Sequence, residues 1–110
     1  MKIYTALYCH FPALLVLILN ITSVSAADIY NGRKVYDNNC QTCHGPAGRG
    51  LMPGTPNFTR GAGLIQPDLV LLSGMRSGKT TQGSIHPAFR GILSEKEMLD
   101  VISHLRTYLK

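Results

Sequence analysis

Between positions 40 and 44 the chain reads Cys40-Gln41-Thr42-Cys43-His44. No other feature restricts its folding as much. Two thiols three positions apart can each add to one of the two vinyl groups of a haem, forming thioethers, and the adjacent histidine is then held beneath the iron. The C-x-x-C-H pattern is that of covalent c-type haem attachment. A thioredoxin-like dithiol shares the C-x-x-C spacing but belongs in a βαβ context, which is not visible here. A zinc site needs two more cysteine or histidine ligands at close spacing. The expected cofactor is therefore one covalent haem c, bound at Cys40 and Cys43, with His44 as an iron ligand.

The remaining cysteine, Cys9, lies in a segment that reads as a leader. Met1-Lys2 is a minimal positive start, Ala13 to Ile21 is an apolar run, and Val24-Ser25-Ala26 offers small residues for a signal peptidase. Pro12 and His10 interrupt the apolar character, which argues against a membrane-spanning anchor of about 20 apolar residues. A lipoprotein is disfavoured because no cysteine directly follows the apolar run. The expected organisation is a signal peptide over 1–26 and one domain over 27–110, exported to the periplasm and touching the membrane only through the leader. Both remaining cysteines then belong to the motif, as suits an oxidising compartment where spare thiols rarely persist.

Without the leader the chain is short for a self-sufficient core, and chains of that size usually need a metal, a disulfide or a cofactor. It has no tryptophan, and its aromatics are Tyr30, Tyr36, Phe58, Phe89 and Tyr108. Without Lys2 it counts ten basic and six acidic residues, net +4. The basic residues are scattered, which argues against nucleic acid. A patch for docking an acidic partner stays open.

Asp28 is placed to cap a first helix running to about Asn39, with Ile29, Gly32, Val35 and Tyr36 on one side. Residues 45–63 carry six glycines and three prolines, too many breakers for regular structure. A loop that long makes sense if it lies against something other than protein. Pro67-Asp68 opens a short helix, with Leu69 to Leu72 as its apolar face and Gly74 as its stop. Residues 76–91 read as a second glycine-rich loop. Ser94-Glu95-Lys96-Glu97 is a capping box, with Leu93 and Met98 at the staple positions. Met98, Val101, Ile102, Leu105, Tyr108 and Leu109 then share one face of a last helix, and His104 falls on the opposite, solvated side.

With these segments in place the sequence resembles the class I, mitochondrial-type monohaem cytochromes c of bacteria. Gly32-x-x-x-Tyr36-x-x-x-Cys40-x-x-Cys43-His44-Gly45 matches that family's first helix and haem motif without a gap. Pro87-Ala88-Phe89-x-Gly91-x-Leu93-Ser94 and the final helix resemble its C-terminal segment. The resemblance implies an all-α fold with first and last helices crossing around the haem, Gly32 allowing their close approach and Tyr36 packing near Leu105. It also implies a loop proline carbonyl supporting the proximal histidine, for which Pro53 and Pro56 are both candidates.

One departure stands out. The family usually presents methionine directly before Pro-Ala-Phe as the sixth iron ligand, and here that residue is His86. Its distance from His44, 42 residues, suits a loop wrapping to the far side of the haem, and its place before proline favours extended backbone. His86 is the expected sixth ligand, with Met75 or an open site as alternatives. Met52 is too close to His44 in sequence, and Met98 lies on a core face. The resemblance implies a one-electron carrier between redox partner proteins, not an enzyme. The alternatives are a five-coordinate haem protein binding a small gas, or a haem subunit of a larger oxidoreductase.

Overall fold

A computed structural model describes residues 25–81 and 83–109. The expected leader over 1–26 lies outside the described residues except for positions 25 and 26, which have no regular structure. Among the described residues no helix is long and apolar enough to cross a membrane.

Helix α1 spans Ile29–Asn39, and the Asp28 carboxylate accepts from the amides of Tyr30 and Asn31 as its cap. One further turn, α2 (Gln41–His44), carries the cysteine motif. The long loop that follows holds a single 3-10 turn at Phe58–Arg60, capped by Asn57. Helix α3 spans Asp68–Ser77. A small hairpin pairs β1 (Lys79–Thr81) with β2 (Ser84–His86) antiparallel, with Lys79 opposite His86 and Thr81 opposite Ser84. Helix α4 spans Glu95–Arg106 and opens with the complete Ser94/Glu97 capping box.

Among the described residues the architecture is all-α apart from the hairpin. Helices α1 and α4 cross in the most extensive packing among the described residues, and α3 lies against α4. At the crossing a Cβ on Gly32 would sit 1.9 Å from the carbonyl oxygen of Asp100. Only glycine lets the two backbones approach so closely. The same turn of α1 grips the Asp100 side chain, whose carboxylate accepts from the Asp28 amide at 2.7 Å, Asn31 Nδ2 at 2.7 Å and Lys96 Nζ at 2.8 Å. Asp100 is fully buried. Burial opposes its charge, but Lys96, Asp28 and Asn31 together outweigh that opposition and hold its carboxyl below the usual carboxylate range. Arg106 reaches Asp68 and Arg76 reaches Glu95, so ion pairs at both ends align α3 antiparallel to α4.

Four expectations change. Residues 76–91 are not all loop. The Gly83 turn (φ +83°) closes a hairpin whose three-residue strands are too short to show alternation in sequence. Helix α3 does not stop at Gly74. Nothing crowds that position, and the helix runs on until Gly78, whose φ of 70° and ψ of 176° form a backbone state essentially reserved for glycine. Its buried face is Leu72 and Met75, while Leu69 is exposed. His104 is not solvated. It is buried because α4 is covered on two sides, and its ring meets Tyr36 at 5.5 Å while its Nε2 lies 3.2 Å from the Tyr108 hydroxyl.

Candidate functional site

The segments meet around a cavity of about 1040 Å³, large among small-molecule pockets. Cys40, Cys43, His44 and His86 all line it, as do Met52 and Met75. Its floor comes from Tyr36 of α1 and Val101, Ile102 and Leu105 of α4. Met52 to Pro56 of the long loop form one of its walls.

His44 closes α2, where its backbone amide donates a hydrogen bond to the Cys40 carbonyl at 3.0 Å. The Tyr36 hydroxyl donates to the Gly45 carbonyl at 2.6 Å and pins the end of the motif to α1. The Phe58 ring stacks on His44, with centroids 4.7 Å apart and planes 20° apart. His86 stands at the end of β2, with Phe89 edge-on to it at 5.8 Å. Each imidazole is thus braced by a phenylalanine on its own side of the cavity. The sequence shows Phe58 and Phe89 only as two of its aromatics, because this role depends on contacts between loop residues.

The two imidazoles face one another with ring centroids 6.2 Å apart and planes tilted by 54°. Two metal–imidazole bonds of about 2.0–2.1 Å, plus the half-width of each ring, span a gap of this order. Each ring also has a buried Nδ1 with no hydrogen-bond partner, so neither is satisfied by protein alone. Burial, helped by the charge of His86, draws His44 down to about 4, and burial lowers His86 as well. Both rings are then neutral near pH 7, the form that ligates metals. The residues present fit an iron centre set between the two rings.

The thiols fit the same group. Cys40 and Cys43 are both free. Burial, with Cys43 nearby, pushes the Cys40 thiol up to about 11. A dithiol redox catalyst needs a lowered value, so the thioredoxin-like alternative loses support. Among the described residues no cluster of three or more histidine, cysteine or carboxylate side chains is arranged to hold a free metal ion.

One implied detail differs. Neither Pro53 nor Pro56 offers its carbonyl to His44 Nδ1, because the segment folds on itself: the Thr55 amide and hydroxyl both donate to the Met52 carbonyl. Tyr36 shares the cavity floor with Leu105 and also meets the rings of His104 and Tyr108.

Residues 29–108 match the family described as Cytochrome c. Among solved structures, the chain is similar to cytochrome c6 from the diatom Phaeodactylum tricornutum, at 22% identity and a TM-score of 0.51. That likeness covers 74% of this chain and 93% of that one. No curated protein matches the sequence.

Proposed function

Since the chain belongs to the cytochrome c family and carries one covalently bound haem c, we propose that Cys40 and Cys43 form its thioethers and that His44 and His86 are the two axial iron ligands. The protein is a monohaem electron carrier, and its family is not one of enzymes. Bound haem supplies a one-electron couple between ferric and ferrous iron. The chain does the rest: it brings two imidazoles together in one cavity, walls the site with apolar side chains, and sets the potential through ligand identity and burial.

The observation that carries this reading is the pair of facing rings, His44 and His86, 6.2 Å apart in the cavity that both cysteines line. Methionine as the axial partner of histidine raises the potential of c-type haems. A second imidazole donates more strongly and favours the ferric state, so this carrier belongs at a lower potential than its methionine-ligated relatives. Its partners are redox proteins matched to that range. Its place is the periplasm, a proposal supported by the leader-like segment ending at Val24-Ser25-Ala26 and by the use of both remaining cysteines in the motif.

An absorption spectrum with a redox titration of the mature holoprotein is the test. The expected ferric form is low-spin and lacks the weak far-red band of a sulfur–iron bond. The sulfur band in the wild type would transfer the role to Met75, which also lines the cavity. A high-spin ferrous form that binds carbon monoxide would identify an open site instead. Intact mass spectrometry of the exported protein tests maturation: one haem added to a chain starting at Ala27.

A further inference from the structure

His86 sits on a short exposed hairpin, which is by itself a poor platform for a metal ligand. Three pairs of residues tie its two strands together, and an isolated two-stranded ribbon is marginal in water. What fixes the segment is its junction with α3. The Phe89 amide donates to the Met75 carbonyl at 2.8 Å, just beyond the Pro87-Ala88 step. At the base of β1, Gly78 lies flat against the strand opposite. A Cβ there would stand 2.7 Å from the His86 carbonyl oxygen, 3.0 Å from the Ala88 nitrogen and 3.2 Å from the Pro87 carbonyl carbon. All three are backbone atoms, so no side chain can swing aside to make room.

We propose that Gly78 is a positioning residue for His86: the missing side chain lets the His86–Ala88 backbone settle onto the end of α3, and that contact sets the depth at which the imidazole enters the cavity. The inference rests on His86 being the sixth ligand. A side chain at position 78 would push the His86 carbonyl outward, and the ring attached to the same residue would move with it. Productive site geometry tolerates displacements of only about 0.5 Å. The retreat therefore removes the ligand while leaving α1, α2 and α4, and with them the thioethers and His44, in place.

Three holoprotein variants separate the possibilities: Gly78→Ala, His86→Ala and Gly91→Ala. Gly91 has a φ of +80° but nothing within 4 Å of an added Cβ, so it reports the strain of a positive φ without the push. Ferric spin state, carbon monoxide binding by the ferrous form and helicity by circular dichroism are read for each. The expected result is that His86→Ala and Gly78→Ala both lose the ferric low-spin spectrum and bind carbon monoxide. Gly78→Ala should keep its helicity and regain the low-spin spectrum on adding free imidazole. Gly91→Ala stays low-spin and inert to carbon monoxide.

If His86→Ala opens the site while Gly78→Ala stays closed, the role of Gly78 is overturned and the ligand assignment stands. If His86→Ala itself stays low-spin, the ligand assignment fails and the inference falls with it. Equal opening in Gly78→Ala and Gly91→Ala would assign the effect to backbone strain and overturn the contact. General loss of helicity in Gly78→Ala would make Gly78 a support of the whole fold rather than of the ligand, and would overturn the proposal too.

Discussion

Gly32 and Asp100 touch through their backbones, and the turn of helix containing Gly32 also binds the Asp100 carboxylate. One point of contact thereby supplies both the close approach of α1 and α4 and the polar lock that fixes their angle. The carboxylate has three donors from three residues, Asp28, Asn31 and Lys96. The first two belong to the start of α1, about seventy positions away in the chain. Register between the helices is set by these bonds, because a shift of either helix would strand a fully buried charge.

Gly32→Ala is therefore expected to be severe. Its Cβ would fall well inside the Asp100 carbonyl, and the helices must separate to admit it. The loss should reach or exceed about 3 kcal/mol, the upper end for overpacking. Guanidinium unfolding of the holoprotein measures it, and a loss below about 1 kcal/mol would show that the crossing can relax.

Asp100→Asn should cost about 1.5–3 kcal/mol at neutral pH, the range for hydrogen bonds to a charged group. It should also change the response to acid. The carboxyl's folded pKa lies below its unfolded value, so its contribution is present above the unfolded value, near 3.9, and is lost as pH falls through the folded one. Thermal midpoints taken from pH 6 to pH 2 should fall less steeply in the variant than in the wild type.

His104 predicts a second pH effect, in a different window. Burial lowers its pKa, while nearby Asp37 raises it and Arg33 lowers it further. The unfolded chain then takes up a proton that the folded one refuses. Stability from this group is complete above about 6.5, the ordinary histidine value, and declines as pH falls below it. His104→Phe should flatten the stability profile between pH 7 and pH 5. An unchanged slope would mean the ring stays accessible to protons.

Replacing Cys40 and Cys43 together by alanine should leave a largely unfolded chain. The core residues of α1, α3 and α4 surround the cavity, and so small a domain has little other apolar surface to bury. Far-ultraviolet circular dichroism decides: native helicity in the double variant would show that the helices pack without the haem.

The parts legible in the sequence are those written by neighbours in the chain. Asp28 at a helix start, Ser94 three positions before Glu97, and the cysteine pair beside His44 are local chemistry, and each is found where its spacing implies. Gly32 was legible through the resemblance. The parts that escaped depend on distant partners. Asp100 and His104 sit at polar positions of an amphipathic helix, yet both are buried because α1 brings donors and aromatic rings to them. Gly78 looks like any loop glycine until the strand across from it is known. Gly74 looked like a helix stop, but the backbone state that ends α3 belongs to Gly78.

The hairpin also makes turn length part of the haem site. Residues along β2 alternate, with Ile85 standing 79% exposed between the more sheltered Ser84 and His86. A slip of one residue in the pairing turns each side chain to the opposite face. Because the junction with α3 holds the His86–Phe89 end in place, one residue gained or lost between Thr81 and Ser84 would set the β1–β2 pairing against that junction. Strand pairing and the α3 junction must therefore agree with one another for the proposed ligand His86 to face the cavity.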